Sequence, residues 1–308
     1  MSAPAHRLKV GRRLWLWLLL GGTVVWIVAA VITGITRDAI LAPTVILVGS
    51  FLVPVSMVAF ALSRVGGALE AGAGLLGFVI AGTLGVALSA VAEIYLLPSA
   101  AGTFAGVGLI EELTKGAVVV AVAQFVPTRD PRRGMILGAT VGAGFASFES
   151  AGYALSAVIG HSDDHPIQRI LQTEAFRAIL APFGHITWTA LLGGALFAAA
   201  AASGAFRLRR VVIWTLIGIV LLHGLWDASY GGAIMITRGL TGDGWIFDWP
   251  NTQAWIGDPT GGTAVAFQAI YDGLLAVWGA MGAAWIVRRW RTYRAAAAHA
   301  SAAPTTVA

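Results

Sequence analysis

Glu111, Glu112 and Lys115 lie together in the otherwise apolar segment GLIEELTKGAVVV. Further along, Glu149 sits in GFASFESAGYAL, His185 in APFGHITWTALLGG, and His223 with Asp227 in LLHGLWDASY. An ionised group at the middle of a bilayer costs roughly 2.5–3.5 kcal/mol even on the lenient insertion scale. Groups like these in apolar runs must therefore turn inward and satisfy one another. Helical spacing allows it: Glu111 and Lys115 are i,i+4, and Glu112 and Lys115 are i,i+3, so the ammonium can pair with either carboxylate and leave the other freer. His223 and Asp227 share one helix face, and Phe145 and Glu149 share another.

A carboxylate in a low-dielectric pocket can act as a general base near neutral pH. One imidazole can hold and polarise a water, and a second can stabilise a developing oxyanion. Together these suit hydrolysis of a peptide bond by activated water. His185, His223 and Glu149 would equally serve as a His2Glu set for Zn2+, so the residues leave open whether the cofactor is zinc or none. Other proteolytic signatures are missing: there is no HExxH, no cysteine, no GxSG around Ser147 or Ser150, and no GxGD partner for Asp272.

These residues need elements to hold them. The chain has 308 residues, of which 57% are hydrophobic and only 11% are Asp, Glu, Lys or Arg. Soluble domains carry roughly 25% charged residues, so this chain cannot cover a water-facing surface, and its apolar content excludes disorder. An all-α, polytopic transmembrane bundle is expected. Eight apolar stretches are long enough to cross a bilayer, at about 14–34, 42–62, 73–97, 101–127, 134–160, 175–202, 211–236 and 264–287. They form a single transmembrane domain over 14–287, with the motif helices within 101–236. The runs are continuously apolar and do not alternate as barrel strands do.

The charges set the orientation. Alternate loops carry Arg7, Lys9, Arg12 and Arg13, then Arg64, then Arg129, Arg132 and Arg133, then Arg207, Arg209 and Arg210, then Arg288, Arg289, Arg291 and Arg294. The opposite side holds only Arg37, Arg169, Arg177 and Arg238, together with Asp163, Asp164, Asp243, Asp248 and Asp258. The positive-inside rule then puts both termini in the cytoplasm: a basic N-terminus over 1–13 and a basic, then Ala-rich tail over 288–308, expected to be disordered after Arg294. The net charge of +5 reads as this topology signal and not as a nucleic-acid surface. The first span is expected to be a retained anchor. The long outer loop at 238–263, with Trp245, Trp249 and Trp255, reads as an interfacial aromatic belt. Gly102/Gly106 and Gly138/Gly142 have the spacing of close helix contacts. Counted from the outer ends of their spans, the acids and imidazoles fall in one layer about 14–20 Å deep.

EELTK, FASFE, His185 and HGLWD occur in order on successive spans. This pattern resembles the PrsW family of intramembrane proteases, related to the CAAX-protease and bacteriocin-processing membrane proteins. The resemblance covers about 111–227. It implies a multi-pass protease of the bacterial cytoplasmic membrane that cleaves membrane proteins, such as a single-pass regulator of the anti-sigma-factor type. Carried over, Glu111 and Glu112 match the paired glutamates: one is the water-activating base and the other is held by Lys115, with Glu111 favoured as the base. Glu149 matches the third glutamate, His185 orients the water, and His223 with Asp227 serves the transition state. Family members are described as metalloproteases and as glutamic proteases, and the glutamic reading is favoured for this chain. The alternative is a proton- or ion-coupled transporter using the same relay.

Overall fold

The computed structural model describes residues 11, 13–65, 71–97, 103–126, 128–159, 166–242, 246–247, 255–256 and 261–302. They are almost wholly helical. In chain order the helices are α1 (Leu14–Thr36), α2 (Ala42–Val65), α3 (Ala71–Ile80), α4 (Val86–Leu96), α5 (Thr103–Ala123) and α6 (Pro131–Ile159). There follow α7 (Pro166–Leu180), α8 (His185–Ser203), α9 (Arg210–Asp227), α10 (Ser229–Thr241) and α11 (Gly261–Ala302). A π-helical turn, Ala81–Gly85, joins α3 to α4. Among the described residues the only strands are β1 (Ile246–Phe247) and β2 (Trp255–Ile256), paired antiparallel inside the expected outer loop.

Length and apolar content mark six helical segments as able to cross a membrane: Leu14–Thr36, Ala42–Ser63, Gly72–Leu96, Pro166–Ser203, Arg210–Asp227 and Gly261–His299. Two of the eight expected spans, α5 and α6, are not among them. Three charged residues interrupt α5, and α6 is diluted by glycine, serine and Glu149. Both are central instead. Every residue of α6 from Gly134 to Ser147 is buried, as is every residue of α8 from Ile186 to Phe197. Large apolar side chains such as Val24, Leu88, Ile94 and Met235 face outward, where the solvent is lipid.

Two expected spans are broken, and the breaks fall next to the chemical residues. The sixth, expected as 175–202, is interrupted at 181–184 between α7 and α8. Pro182 has no N–H to continue the ladder and restricts the residue before it. Thr187 Oγ1 donates to the Pro182 carbonyl at 2.6 Å and holds the turn. The seventh, expected as 211–236, stops after Asp227 and restarts as α10. The tail differs as well: α11 continues through the Ala-rich segment to Ala302, because alanine has the strongest helix propensity. Residues 303–308, Arg7, Lys9, Arg12, Gly102, Asp163, Asp164, Asp243, Trp245, Asp248, Trp249 and Asp258 lie outside the described residues.

The start of α6 is capped from outside the helix. The Arg132 backbone N–H donates to Asp130 Oδ1 at 2.9 Å, and its guanidinium reaches Asp130 Oδ2 at 2.7 Å. Partial burial disfavours charge on Asp130, but the hydrogen bonds from Arg132 outweigh it and hold the carboxyl below its ordinary range.

The pair α6 and α8 meets backbone to backbone. A Cβ added at Gly138 would strike the Thr189 carbonyl, and one at Gly142 the His185 carbonyl. We expect Gly138→Val to cost about 3 kcal/mol or more, because backbone cannot relax as a side chain can. Gly152 has open space around it, and Gly152→Ala should be neutral or slightly stabilising. Thermal melting of both variants in detergent checks this. Equal midpoints would contradict the close crossing.

Candidate active site

The site is built around Lys115. Its side chain is fully buried, and Nζ lies 2.6 Å from Glu112 Oε1 and 3.3 Å from Glu111 Oε2, both one turn back on α5. The ammonium also donates to His185 Nδ1 at 2.9 Å and stands 4.5 Å over the Phe145 ring of α6. Burying a lone ammonium is prohibitive, so these partners must be present for α5 to sit in the core.

His185 is the first residue of α8. Its Nδ1 meets a group that can only donate, so Nδ1 is the acceptor and Nε2 carries the proton. That Nε2–H donates to Glu149 Oε2 of α6 at 3.0 Å. His223, near the end of α9, mirrors this arrangement. Its Nδ1 lies 3.2 Å from Glu112 Oε1, so Nδ1 carries a proton, and Nε2 is turned inward. Nε2 lies 3.7 Å from Glu111 Oε2 and 3.5 Å from Asp227 Oδ2. Gly108 on α5 permits this approach: a Cβ there would stand 3.1 Å from His223 Cβ. Trp188 of α8 lies against the His223 ring, tilted by 30° with centroids 4.5 Å apart, and edge-on to His185 at 5.4 Å.

Glu111, His185 and His223 thus offer one oxygen and two nitrogens that all lie within 4.8 Å of one another. His223 Nε2 faces two carboxylates, Glu111 and Asp227. That arrangement suits a positive centre at the shared point. Each imidazole also backs onto a carboxylate, Glu149 or Glu112, as metal-bound histidines commonly do. The donor set is of the zinc type, and the Lys115 ammonium, which here donates to His185 Nδ1 at 2.9 Å, would have to turn to its glutamates for that nitrogen to ligate. The carboxylate in this group is Glu111, whereas the sequence reading joined Glu149 to the two histidines. Glu149 sits behind His185 instead.

A cavity of about 550 Å3 opens onto these residues. Its wall includes Glu93, Glu111, Glu149, Arg177, Asp227 and Tyr271. The structure brings together all seven residues singled out from the sequence: Glu111, Glu112, Lys115, Glu149, His185, His223 and Asp227. Asp272 is apart, exposed on α11, where it accepts from Gln268 at 2.8 Å.

Three wall residues escaped the sequence reading. Arg177 was counted among the outer-side charges. It belongs to α7, and its Nη2 donates to Glu149 Oε2 at 2.6 Å. Glu93 is an acid inside the third apolar run, and the cost argument used for Glu111 would have found it. Trp188 carried no signal that set it apart from the other 11 of the chain's 12 tryptophans.

A multi-pass helical membrane protein with a water-accessible cluster of carboxylates and imidazoles at its centre has the design of an intramembrane hydrolase. Residues 54–240, more than half of the chain, match the family model described as PrsW family intramembrane metalloprotease. The chain belongs to the PrsW family, and membership makes it an intramembrane peptidase and an integral membrane protein. The transporter alternative gains no support. No curated protein and no solved structure matches the chain.

Lys115→Met leaves Glu112 buried without its cation and should cost about 3–5 kcal/mol. Adding Glu112→Gln should restore part of the loss. Detergent melting of the two single variants and the double variant checks the coupling, and simple additivity would count against the pair.

Proposed function

We propose that the protein is an endopeptidase of the bacterial cytoplasmic membrane. It hydrolyses a peptide bond of a membrane-protein substrate, such as a single-pass anti-sigma-type regulator. The observation that carries this reading is the convergence of Glu111 Oε2, His185 Nδ1 and His223 Nε2, with 3.7 Å from the oxygen to each nitrogen, on the wall of a cavity.

Glu111, His185 and His223 would hold a zinc ion, which when bound supplies polarisation of a carbonyl and acidification of a water. The donor set, the two backing carboxylates and the family's description favour this reading. Around that point Glu149 and Glu112 fix the imidazole tautomers, and Lys115 neutralises Glu112. Asp227, whose side chain is 27% exposed, is the most open carboxylate of the group. It accepts the proton of the attacking water and returns it to the leaving amine nitrogen as the C–N bond breaks.

A metal-free glutamic route is favoured by one observation. The Lys115 ammonium stands 2.9 Å from His185 Nδ1 and 3.3 Å from Glu111 Oε2, and so already supplies a fixed positive charge beside that point. In that route Glu111 Oε2 takes the water's proton, and the imidazoles hold the water and the carbonyl oxygen.

Glu111→Gln and His223→Ala should each lower cleavage of a co-expressed single-pass substrate by about 100-fold or more at unchanged accumulation. Full cleavage by both would end the assignment. Purified protein should contain close to one zinc, lose activity on chelation and regain it on zinc addition. Chelator-resistant cleavage by zinc-free protein would select the glutamic route.

We also infer that α5 and α6 cross the membrane, which makes eight spans with both termini cytoplasmic. The support is the distribution of basic loops and the central packing of both helices. The chain has no cysteine, so single-cysteine labelling is unambiguous. Thr241→Cys should react with an impermeant reagent from outside, and Ser203→Cys only after permeabilisation.

A further inference from the structure

The shared point at Glu111 depends on His185 presenting Nδ1 to it, and the imidazole does not fix its own orientation. Glu149 Oε2 receives Nε2–H at 3.0 Å, but the same oxygen is also held by Arg177 Nη2 at 2.6 Å. Arg177 has a second anchor on α6, since its Nε donates to Ser150 Oγ at 2.7 Å. The guanidinium plane lies 4.3 Å from the Tyr153 ring. One side chain of α7 thus grips three α6 positions within about one turn, namely Glu149, Ser150 and Tyr153. The helix that carries it is pinned from the other side too: Glu174 Oε1 accepts from Ser50 Oγ of α2 at 2.7 Å.

We propose that Arg177 is a positioning residue for the cleavage reaction. It holds the Glu149 carboxylate, which anchors Nε2–H while Lys115 donates to Nδ1; the two contacts together keep His185 as the Nε2–H tautomer with Nδ1 turned toward Glu111. The inference rests on the protease reading for its consequence in cleavage, though not for the tautomer itself.

Three features of guanidinium chemistry support the assignment. The planar fork satisfies a carboxylate and a hydroxyl at the same time, and a point-charge ammonium cannot do both with the same rigidity. Its positive charge offsets Glu149, whose other close partner is a neutral imidazole. The Tyr153 ring, with its centroid 4.3 Å from the guanidinium carbon, adds a cation–π contact. Lys115 is engaged with Glu111, Glu112 and His185 Nδ1 and does not reach the Glu149 side of the ring. Arg177 is therefore the cation that sets the distal nitrogen.

The test uses the full-length protein in detergent micelles. In protein labelled with 15N-histidine, the His185 resonances are assigned by their loss in His185→Gln. The unaltered protein should show the Nε2–H tautomer at His185. Arg177→Gln and Glu149→Gln should both convert it to a mixture, and Ser150→Ala should leave it unchanged. In parallel, cleavage is followed with a quenched-fluorescent peptide carrying one apolar membrane span. Arg177→Gln should lower kcat about 10–100-fold with KM unchanged, and Arg177→Lys should recover part of it. In a Glu149→Gln background, Arg177→Gln should cause no further loss.

An unmoved His185 spectrum, full kcat in Arg177→Gln, or losses that multiply with Glu149→Gln would each overturn the proposal. If the unaltered protein fails to cleave, the protease reading fails and the tautomer spectrum alone decides the role of Arg177. If Arg177→Gln does not accumulate, Arg177→Lys decides: an intermediate tautomer mixture supports the chain of contacts, and an unaltered spectrum overturns it.

Discussion

One buried ammonium organises this protein. Lys115 stands where hydrocarbon or packed protein would otherwise exclude any charge, and it does so only because two glutamates of its own helix and a histidine of α8 surround it. A buried ion pair contributes little net stability compared with well-packed apolar residues, yet breaking one is costly. The arrangement therefore constrains more than it stabilises. With Lys115 in place, α5 must face the core along this side, Glu112 is committed to the ammonium, and Glu111 is left as the carboxylate that meets the imidazoles.

The second constraint is where helices end. A regular helix spends its backbone polar groups internally, which is why membranes admit it. Irregular backbone at that depth is tolerated only where protein or an aqueous cavity receives it. Here both interruptions lie at the cavity, with His185 opening α8 and Asp227 closing α9. The first N–H groups of α8 have no partner within the helix, and the positive end of its dipole is set beside the acid-rich wall. Local structure and site chemistry thus reinforce each other.

Much of the site could be read from the sequence because charge in an apolar run is costly and so must have partners. That reasoning located Glu111, Glu112, Lys115, Glu149, His185, His223 and Asp227, and the structure gathers them. It failed where hydropathy has nothing to say. The interruption at Pro182 and the restart at Ser229 concern backbone hydrogen bonds, and the surrounding residues stay apolar through both. Arg177 fell two residues inside the outer edge of the span expected at 175–202 and was counted with the outer-side loop charges, although the cost of charge in a span applied to it as well. Which side of an imidazole faces which carboxylate is a tertiary fact. Glu149 and Glu111 were therefore interchangeable on paper, whereas in space one backs His185 and the other shares its inner nitrogen.

The glycine-mediated crossing of α6 and α8 has a consequence for the whole assembly. Two backbones in direct contact behave as one jaw, so the spacing between Glu149 and His185 is set by main chain and hardly by side-chain rotamers. On the other side, α5 and α9 pack together and form a second jaw, which carries Glu111, Glu112, Lys115 and His223. The jaws meet where Lys115 stands over Phe145 and where Trp188 lies against His223. Lys115 to His185 at 2.9 Å and Glu111 to His185 at 3.7 Å both straddle the seam. A slip of about 1 Å along that seam is comparable to the misplacement that costs enzymes about 100-fold in rate. Such a slip would disturb all of these contacts together, so the alignment of the site depends on how the whole seam packs.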